Sequence, residues 1–220
     1  MAMESKDFAE LVRESRSCRR FDESKPVGMR QLRDLIEVVR FAPTGNNTQL
    51  LRFHLSTEPQ EVKMIFSHHR WAGLLPEWDG PEQGARPTAY IVVCGPSGAS
   101  KAPIRNLDAG IAAQTIMLAA HAAGIAGCMI ASFDGGLADE LGLSAQGLAP
   151  LIVLALGVAA PDEKIVIEDA GGEHGVRYWR ELDAHTQHVP IVFSRLTSCS
   201  CEAREDDGGR QEVVASAHWS

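Results

Sequence analysis

Ala-Pro-Thr-Gly-Asn-Asn-Thr-Gln, residues 42–49, lies between a segment with helical periodicity, 32–39, and a short alternating segment, 52–56. A run so rich in Thr, Asn and Gln does not build a hydrophobic core, but its amide and hydroxyl groups donate and accept hydrogen bonds. Surfaces of this kind bind flat ligands whose edges are polar. The run therefore predicts either a ligand-binding loop between a helix and a strand or a plain polar connection.

The composition indicates one globular domain with a sizeable core. The chain has 220 residues, of which 45% are hydrophobic and 23% charged, and its formal net charge is -8. This charge disfavours nucleic-acid binding by the surface as a whole. No signal-peptide pattern is present, and the longest apolar run, 111–130, is interrupted, so no membrane span is expected. Five cysteines without a framework spacing favour a reducing compartment, and we expect a cytoplasmic protein.

Hydrophobic periodicity predicts helices and strands that alternate along most of the chain. Helices are predicted around 8–12, 32–39, 61–66 and 107–123, and strands at 53–55, 89–94, 128–131 and 151–156. Because helices separate most of the strands, this order predicts a mixed α/β or α+β sheet. Segment 67–88 is rich in Pro and Gly and predicts a long ordered loop or lid.

A basic segment follows the first predicted helix. Arg16 and Arg19 are candidates for binding a phosphate, and Ser17 would add a hydroxyl hydrogen bond, because guanidinium groups match phosphate oxygens. Basic runs are more often solvated surface turns. The residues alone leave both interpretations open.

A third segment, Met129-Ile130-Ala131-Ser132, ends a predicted buried strand. Its small side chains at 131 and 132 would allow a ligand to approach the backbone closely. On spacing alone, a buried strand that ends in a turn explains the pattern equally well.

Together the three segments resemble sequences of the nitroreductase family. The members of this family are dimeric oxidoreductases that bind FMN. Pro43, Thr44, Gly45, Asn47 and Gln49 are similar to the family pattern Pro-Ser-x-x-Asn-x-Gln, with Thr44 in the place of the Ser. The family usually continues with Pro-Trp, where this chain has two leucines. The resemblance covers about residues 8 to 196.

The resemblance implies an α+β, nitroreductase-like fold with a mixed central β-sheet flanked by helices. It further implies an intertwined homodimer with an extended C-terminal arm and FMN at the subunit interface. We expect residues 1–196 to form this FMN-binding domain and residues 197–220 to be a disordered tail.

The resemblance also assigns roles to the three segments. Arg16, Ser17 and Arg19 would bind the FMN phosphate and ribityl chain. The polar loop 43–49 would reach the flavin of the partner subunit. The segment that would run past the ring consists of Met129, Ile130, Ala131 and Ser132, with a backbone N–H at Ala131 or Ser132 near flavin N5.

The activity that the resemblance implies is ping-pong hydride transfer through the flavin, from NAD(P)H to a nitroaromatic, quinone or flavin acceptor. No side chain need act as an acid or base, so no catalytic residue is named, and no metal is expected. Two alternatives stay open. One is a flavin-dependent dehydrogenase or dehalogenase of a specific metabolite, and the other is a non-catalytic flavin-binding protein.

The C-terminal arm departs from the family branch that it otherwise resembles. Tyr178-Trp179-Arg180 and Gln187-His188-Val189-Pro190 match that branch, but its relatives then have Lys-Arg, where Ile191-Val192 stand here. Arg195 is the candidate to replace the missing basic pair at the phosphate.

The sequence also predicts the environment of several side chains. Aromatic residues near the long loop, such as Trp71, Trp78 and Tyr90, would either cover the flavin or anchor the loop. His68 and His69 are expected on the loop surface, and Cys128 is expected to be buried.

Overall fold

The computed structural model describes residues 4–98, 102–170, 174–181 and 185–191. The helices are α1 Ser5–Glu14, α2 Met29–Val39, α3 Pro59–Ser67, α4 Ala102–Ala122 and α5 Gly136–Glu140. The strands are β1 Arg52–Ser56, β2 Ala89–Pro96, β3 Ala126–Ile130, β4 Leu148–Gly157, β5 Lys164–Asp169, β6 Trp179–Arg180 and β7 Thr186–Ile191. Arg195 and the predicted tail 197–220 lie outside the described residues.

The central sheet has four strands in the order β1-β2-β4-β3, and every neighbouring pair is antiparallel. The α+β prediction is confirmed, but the expectation of a mixed central sheet is wrong for the described strands. Helix α4 connects β2 to β3, which run in the same direction, as the alternation of helices and strands suggested. Strand β4 lies between them and pairs antiparallel with both.

The two faces of strand β2 supply two separate cores. Ile91 and Val93 pack with helices α2 and α4 on one face of the sheet. Tyr90 and Val92 point to the other face, where they join a cluster with Ile65 of helix α3. Because side chains alternate along a strand, a strand covered on both faces has a continuous apolar sequence. This explains why segment 89–94 could be predicted as a buried strand.

Helix α4 is apolar on nearly all sides, as the sequence indicates, but one of its faces is not covered. Ile104, Leu107 and Ile111 are 38%, 70% and 40% exposed. In helix α1 the predicted apolar face is also uncovered, with Phe8 51% and Val12 39% exposed. Exposed apolar side chains on one face of a helix are typical of a face that packs against another element or chain.

A bilayer-spanning element is not found among the helices of the described residues: none is both long enough and apolar enough.

The C-terminal segment forms a second, smaller sheet. Strand β7 pairs in parallel with β5 and antiparallel with β6. The side chains of Trp179 and His188 stack face to face, with ring centroids 3.8 Å apart. Arg180 and Glu163 form a buried ion pair at 2.7 Å. The segment predicted as an extended arm is thus, as far as residue 191, part of a sheet formed by strands of the same chain.

Candidate functional site

The basic segment lies directly beside the start of strand β3. Ser17 and Gly127 form a parallel bridge, and the backbone N–H of Cys18 donates to the carbonyl of Gly127 at 2.9 Å. Residue 127 has to be glycine for this pairing, because a Cβ there would lie 2.7 Å from the carbonyl oxygen of Ala155. The absence of a side chain therefore lets three backbone segments approach one another.

The third segment occupies the other end of the same strand. Met129 is 38% exposed, and Ala131 and Ser132 are also exposed, whereas the side chain of Ile130 is buried in the core. Only the backbone of Ile130 could therefore contact a ligand. Four residues of a strand span about 13 Å, so positions 127 and 131 lie roughly that far apart. The structure thus brings two of the three predicted segments together, one at each end of β3.

Arg16 and Arg19 carry donors that no described group satisfies. The buried Nε atoms of both side chains have no hydrogen-bond partner. The Nη1 of Arg19 donates to the side-chain oxygen of Gln187, and its guanidinium lies over the ring of Tyr178, 4.9 Å from the ring centroid. Because buried donors without partners are costly, these two side chains are suited to receive an anion.

The neighbouring Arg20 has a different role. Its guanidinium forms ion pairs with Glu82 at 2.7 Å and with Asp162 at 2.9 Å. Two carboxylates satisfy its charge, and they fasten the long loop and the segment after β4 to the basic segment. Arg20 is therefore a structural residue.

The chain that follows β3 is held by the start of the long loop. The carbonyl of Ser132 accepts from the backbone N–H of Arg70 at 2.9 Å, and the N–H of Asp134 donates to the carbonyl of His68 at 2.8 Å. The imidazole of His68 lies between two carboxylates, 2.8 Å from Asp134 and 3.1 Å from Glu140. His68 thus fixes the position of the segment that would face a flat ligand.

His69 is buried, and the expectation that it lies on the loop surface is wrong. Its Nε2 lies 3.0 Å from the hydroxyl of Tyr90, and its ring packs edge-on against Trp71 and Phe66. Burial lowers the pKa of His69 to about 4. Trp71 and Tyr90 are buried too, so these two aromatic residues anchor the loop and do not cover a ligand.

The polar loop 43–49 contains a short 3₁₀ turn at Gly45–Asn47. Asn46, Asn47 and Gln49 all adopt positive φ angles, of 52°, 52° and 48°. The left-handed conformation costs roughly 1–2 kcal/mol at a residue such as Gln49, whereas asparagine tolerates it, so contacts must hold Gln49 in this conformation. Pro43, like these three residues, is exposed, and the loop therefore presents its polar groups outward.

A cavity of about 270 Å³ opens beside this loop. Thr44 closes part of it, and the hydroxyl of Thr44 accepts weakly from the N–H of Gln49 at 3.4 Å. The lining combines apolar side chains with polar and charged ones: Val39, Arg40, Ala42, Pro43, Thr44, Asn47, Gln49, Leu51, Arg52, Phe53, Asp108 and Ala112. This mixed lining is typical of a small-ligand pocket, although the volume lies slightly below the usual range.

The polar loop and the basic segment contact different ends of helix α4. The N–H of Gly45 donates to Asp108 at 2.8 Å, whereas the hydroxyl of Ser15 donates to the carbonyl of Met117 at 3.5 Å. Nine helical residues separate the two contacts, which corresponds to roughly 14 Å along the axis. Within one protomer, then, the polar loop lies apart from the basic segment.

The thiols near the basic segment are not nucleophiles. Burial raises the pKa of Cys18 to about 12 and also raises the pKa of Cys128. The expectation that Cys128 is buried is confirmed, since it is 3% exposed.

Sequence reasoning missed three groups that the structure places at or beside these segments. They are His68, Asp108 and the contact of Gln187 with Arg19. An aspartate in an alanine-rich apolar helix was a signal for Asp108 that could have been followed. The other two depend on contacts between residues far apart in the chain, and the sequence carries no signal for them.

Comparisons with known proteins show the family and the fold. The sequence pattern of the nitroreductase family matches residues 12–158, well over half of the chain. Three solved structures, each under 25% identical, share the fold. A nitroreductase family protein from Clostridium difficile is 23% identical, with 70% of this chain and 84% of that chain covered and a TM-score of 0.56.

The second structure, from Desulfovibrio desulfuricans, is described as a nitroreductase in complex with FMN. It is 22% identical, with 72% and 88% of the two chains covered and a TM-score of 0.58. The third, from Staphylococcus epidermidis, is described as an NAD(P)H:FMN oxidoreductase. It is 19% identical, with 73% and 91% covered and a TM-score of 0.58.

The His68 contacts predict a pH-dependent contribution to stability. The hydrogen bond with Asp134 raises the pKa of His68 and lowers that of Asp134. A histidine whose pKa is raised by folding contributes fully below its unfolded pKa of about 6.5, and the contribution is lost as pH rises through the folded value. His68→Gln should therefore lower the thermal unfolding midpoint most near about pH 5.5 and progressively less above about pH 7.

The control is Lys63→Gln, which alters an exposed residue of helix α3 and should not reproduce this trend. A difference between wild type and His68→Gln that is constant with pH, or larger at high pH, would contradict the assignment.

Proposed function

The chain belongs to the nitroreductase family, and from that premise we propose that it is an FMN-dependent oxidoreductase. It transfers electrons from NAD(P)H to a small acceptor such as a nitroaromatic, a quinone or a flavin. The observation that carries the proposal is the position of two candidate segments at opposite ends of strand β3. An elongated ligand with a phosphate at one end and a flat ring at the other matches that arrangement.

The residues present fit FMN. The partnerless Nε donors of Arg16 and Arg19, with the exposed Ser17, are suited to the phosphate and ribityl chain. At the other end, the turn and loop hydrogen bonds of the described residues include none donated by the amides of Ala131 or Ser132. One of these amides can therefore donate to the ring. The chemistry that bound FMN supplies is two-electron transfer, and the protein supplies position and hydrogen bonds.

The site is completed by a second copy of the chain in this proposal. The polar loop 43–49 contacts helix α4 roughly 14 Å along the axis from the contact beside the basic segment. We assign the loop to the flavin of the partner, as the resemblance to the family implies. The exposed apolar face of helix α4, with Ile104, Leu107 and Ile111, supports an interface near that loop. In a symmetric dimer each loop would serve the other subunit.

One observation favours a second candidate, a flavin-binding protein without turnover. Gln187 already accepts a hydrogen bond from Arg19, and the branch's Lys-Arg pair is missing after Pro190. Phosphate binding would then rest on fewer free donors. The other alternative, an enzyme specific for one metabolite, would need the long loop to close over the substrate as a lid. Trp71 of that loop is buried in the protein, so it does not support this alternative.

The test is the visible absorption spectrum of the purified protein, before and after anaerobic addition of NADH or NADPH. A flavin band that bleaches, and returns when a quinone is added, would support the oxidoreductase. A flavin band that does not bleach would favour the binding protein. A colourless protein that cannot be loaded with FMN would contradict both.

Removing the phosphate ligand Arg19 should weaken FMN binding. Arg19→Ala deletes a charge-assisted hydrogen bond worth about 1.5–3 kcal/mol, so the Kd for FMN should rise about tenfold or more. The Kd is measured by quenching of flavin fluorescence on titration with flavin-free protein. Arg13→Ala, which alters an exposed arginine on the preceding helix, is the control and should leave the Kd unchanged. Equal affinity in a folded Arg19→Ala protein would remove Arg19 from the site.

A charge on the exposed face of helix α4 should break the proposed dimer. Leu107→Glu places one carboxylate per subunit in an apolar interface, and we expect dimer dissociation to increase about a hundredfold or more. Sedimentation velocity measures the association, and FMN binding should weaken with it. Val176→Glu changes a residue that is similarly exposed, at 66%, on the C-terminal segment, and should have no effect. A Leu107→Glu protein that remains dimeric and binds FMN normally would place the interface elsewhere.

A further inference from the structure

Asp108 is a buried carboxylate in an apolar helix. It is 2% exposed and lies next to the buried residues Ala109 and Ala112. Among the residues that the structure describes, no cation lies within ion-pair distance of it. Burying a carboxylate without a counter-charge is unfavourable, so a residue of this kind requires a specific partner that offsets the cost.

That partner is the polar loop. The Oδ1 of Asp108 accepts a hydrogen bond from the backbone N–H of Gly45 at 2.8 Å, while its Oδ2 is buried and has no hydrogen-bond partner among the described residues. The one described hydrogen bond of the Asp108 side chain therefore goes to the first residue of the 3₁₀ turn.

The approach of the loop to the helix depends on the absence of a side chain at position 45. A Cβ on Gly45 would lie 2.5 Å from the Cγ2 of Ile104, one turn before Asp108. The loop backbone thus sits directly on helix α4, within reach of the carboxylate. The close approach of Gly45 to Ile104 and the hydrogen bond from Gly45 to Asp108 together fix the position of the turn.

The backbone conformation of this turn is not explained by the local preferences of its residues. Asn46, Asn47 and Gln49 have positive φ angles. Asn is among the residues that tolerate the left-handed region, but Gln is not, so the local preference does not explain the run. In this conformation the side-chain amide of Gln49 donates to the side-chain oxygen of Asn47 at 3.0 Å, and both face outward.

We infer that Asp108 is a positioning residue: its carboxylate holds the Gly45 amide and thereby keeps the exposed amides of Asn47 and Gln49 in the arrangement that meets a ligand. This inference rests on the proposed function for the identity of the ligand, the FMN bound to a second copy of the chain. The hydrogen bond itself belongs to one protomer and can be tested without flavin.

The first experiment measures amide hydrogen exchange by NMR on the full-length, flavin-free protein. In Asp108→Ala the Gly45 amide should exchange at least tenfold faster, while amides of the central sheet such as Ile91 keep their wild-type rates. Asp108→Asn retains a carbonyl acceptor of the same shape and should restore most of the protection. Asp34→Ala removes an exposed aspartate of helix α2 and should change neither rate.

The second experiment titrates FMN into the same four proteins. Asp108→Ala should raise the Kd about tenfold, and Asp108→Asn should return it to within about twofold or threefold of wild type. A general loss of stability would accelerate exchange at Gly45 and Ile91 alike and would not be rescued by Asn. That result would overturn the inference.

The outcomes separate the inference from the proposed function. Unchanged Gly45 exchange in a folded Asp108→Ala protein would refute positioning, whatever happens to FMN. Faster Gly45 exchange with an unchanged Kd would refute the role toward the flavin. A wild-type protein that binds no FMN would refute the proposed function, while the Gly45 result would still decide whether Asp108 holds the loop.

Discussion

The packing of helix α4 across the central sheet determines where all parts of the candidate site lie. Ala113, Ile116 and Ala120 have no exposed surface, so the middle of the helix cannot shift without opening the core. The polar loop contacts the helix through Asp108, and the segment before Arg16 contacts it near Met117. Because a helix is stiff, the helix and not the loops sets the separation of these two contacts. In the proposed function, these two contacts serve different ligand sites, each shared with a second copy of the chain.

The charges around the basic segment are arranged in two different ways. Arg20 is neutralised by two carboxylates, which tie distant parts of the chain together. The contacts described for Arg19 are with neutral groups, the amide of Gln187 and the ring of Tyr178, and no carboxylate of the described residues forms an ion pair with it. The chain as a whole has a net charge of -8 and repels anions. The positive charge of Arg19 can nevertheless attract an anion locally.

The sequence predicted those elements whose patterns reflect local packing. Strand β2 and helix α4 were identified because a continuous apolar segment of strand or helix length is typical of a buried element. The antiparallel arrangement of the strands was not predicted, because the position of β4 between β2 and β3 depends on pairings between distant residues. His69 was placed on the surface for a similar reason, since its burial depends on Tyr90 and Trp71 around it. The candidate segments were found by resemblance, whereas the support from His68 and Asp108 lies in contacts that a single sequence does not display.

The backbone pairing of the basic segment has a consequence for the order in which the protein is assembled. Besides Gly127, the segment pairs with residues that follow β4: Asp22 donates to the carbonyl of Val158, and Ala160 donates to that of Arg20. These partners are more than a hundred residues away, and contacts of such long range form late. During synthesis the N-terminal arginines therefore leave the ribosome long before the strands that hold them. Any phosphate site they form comes into existence only after the chain has been made through residue 160.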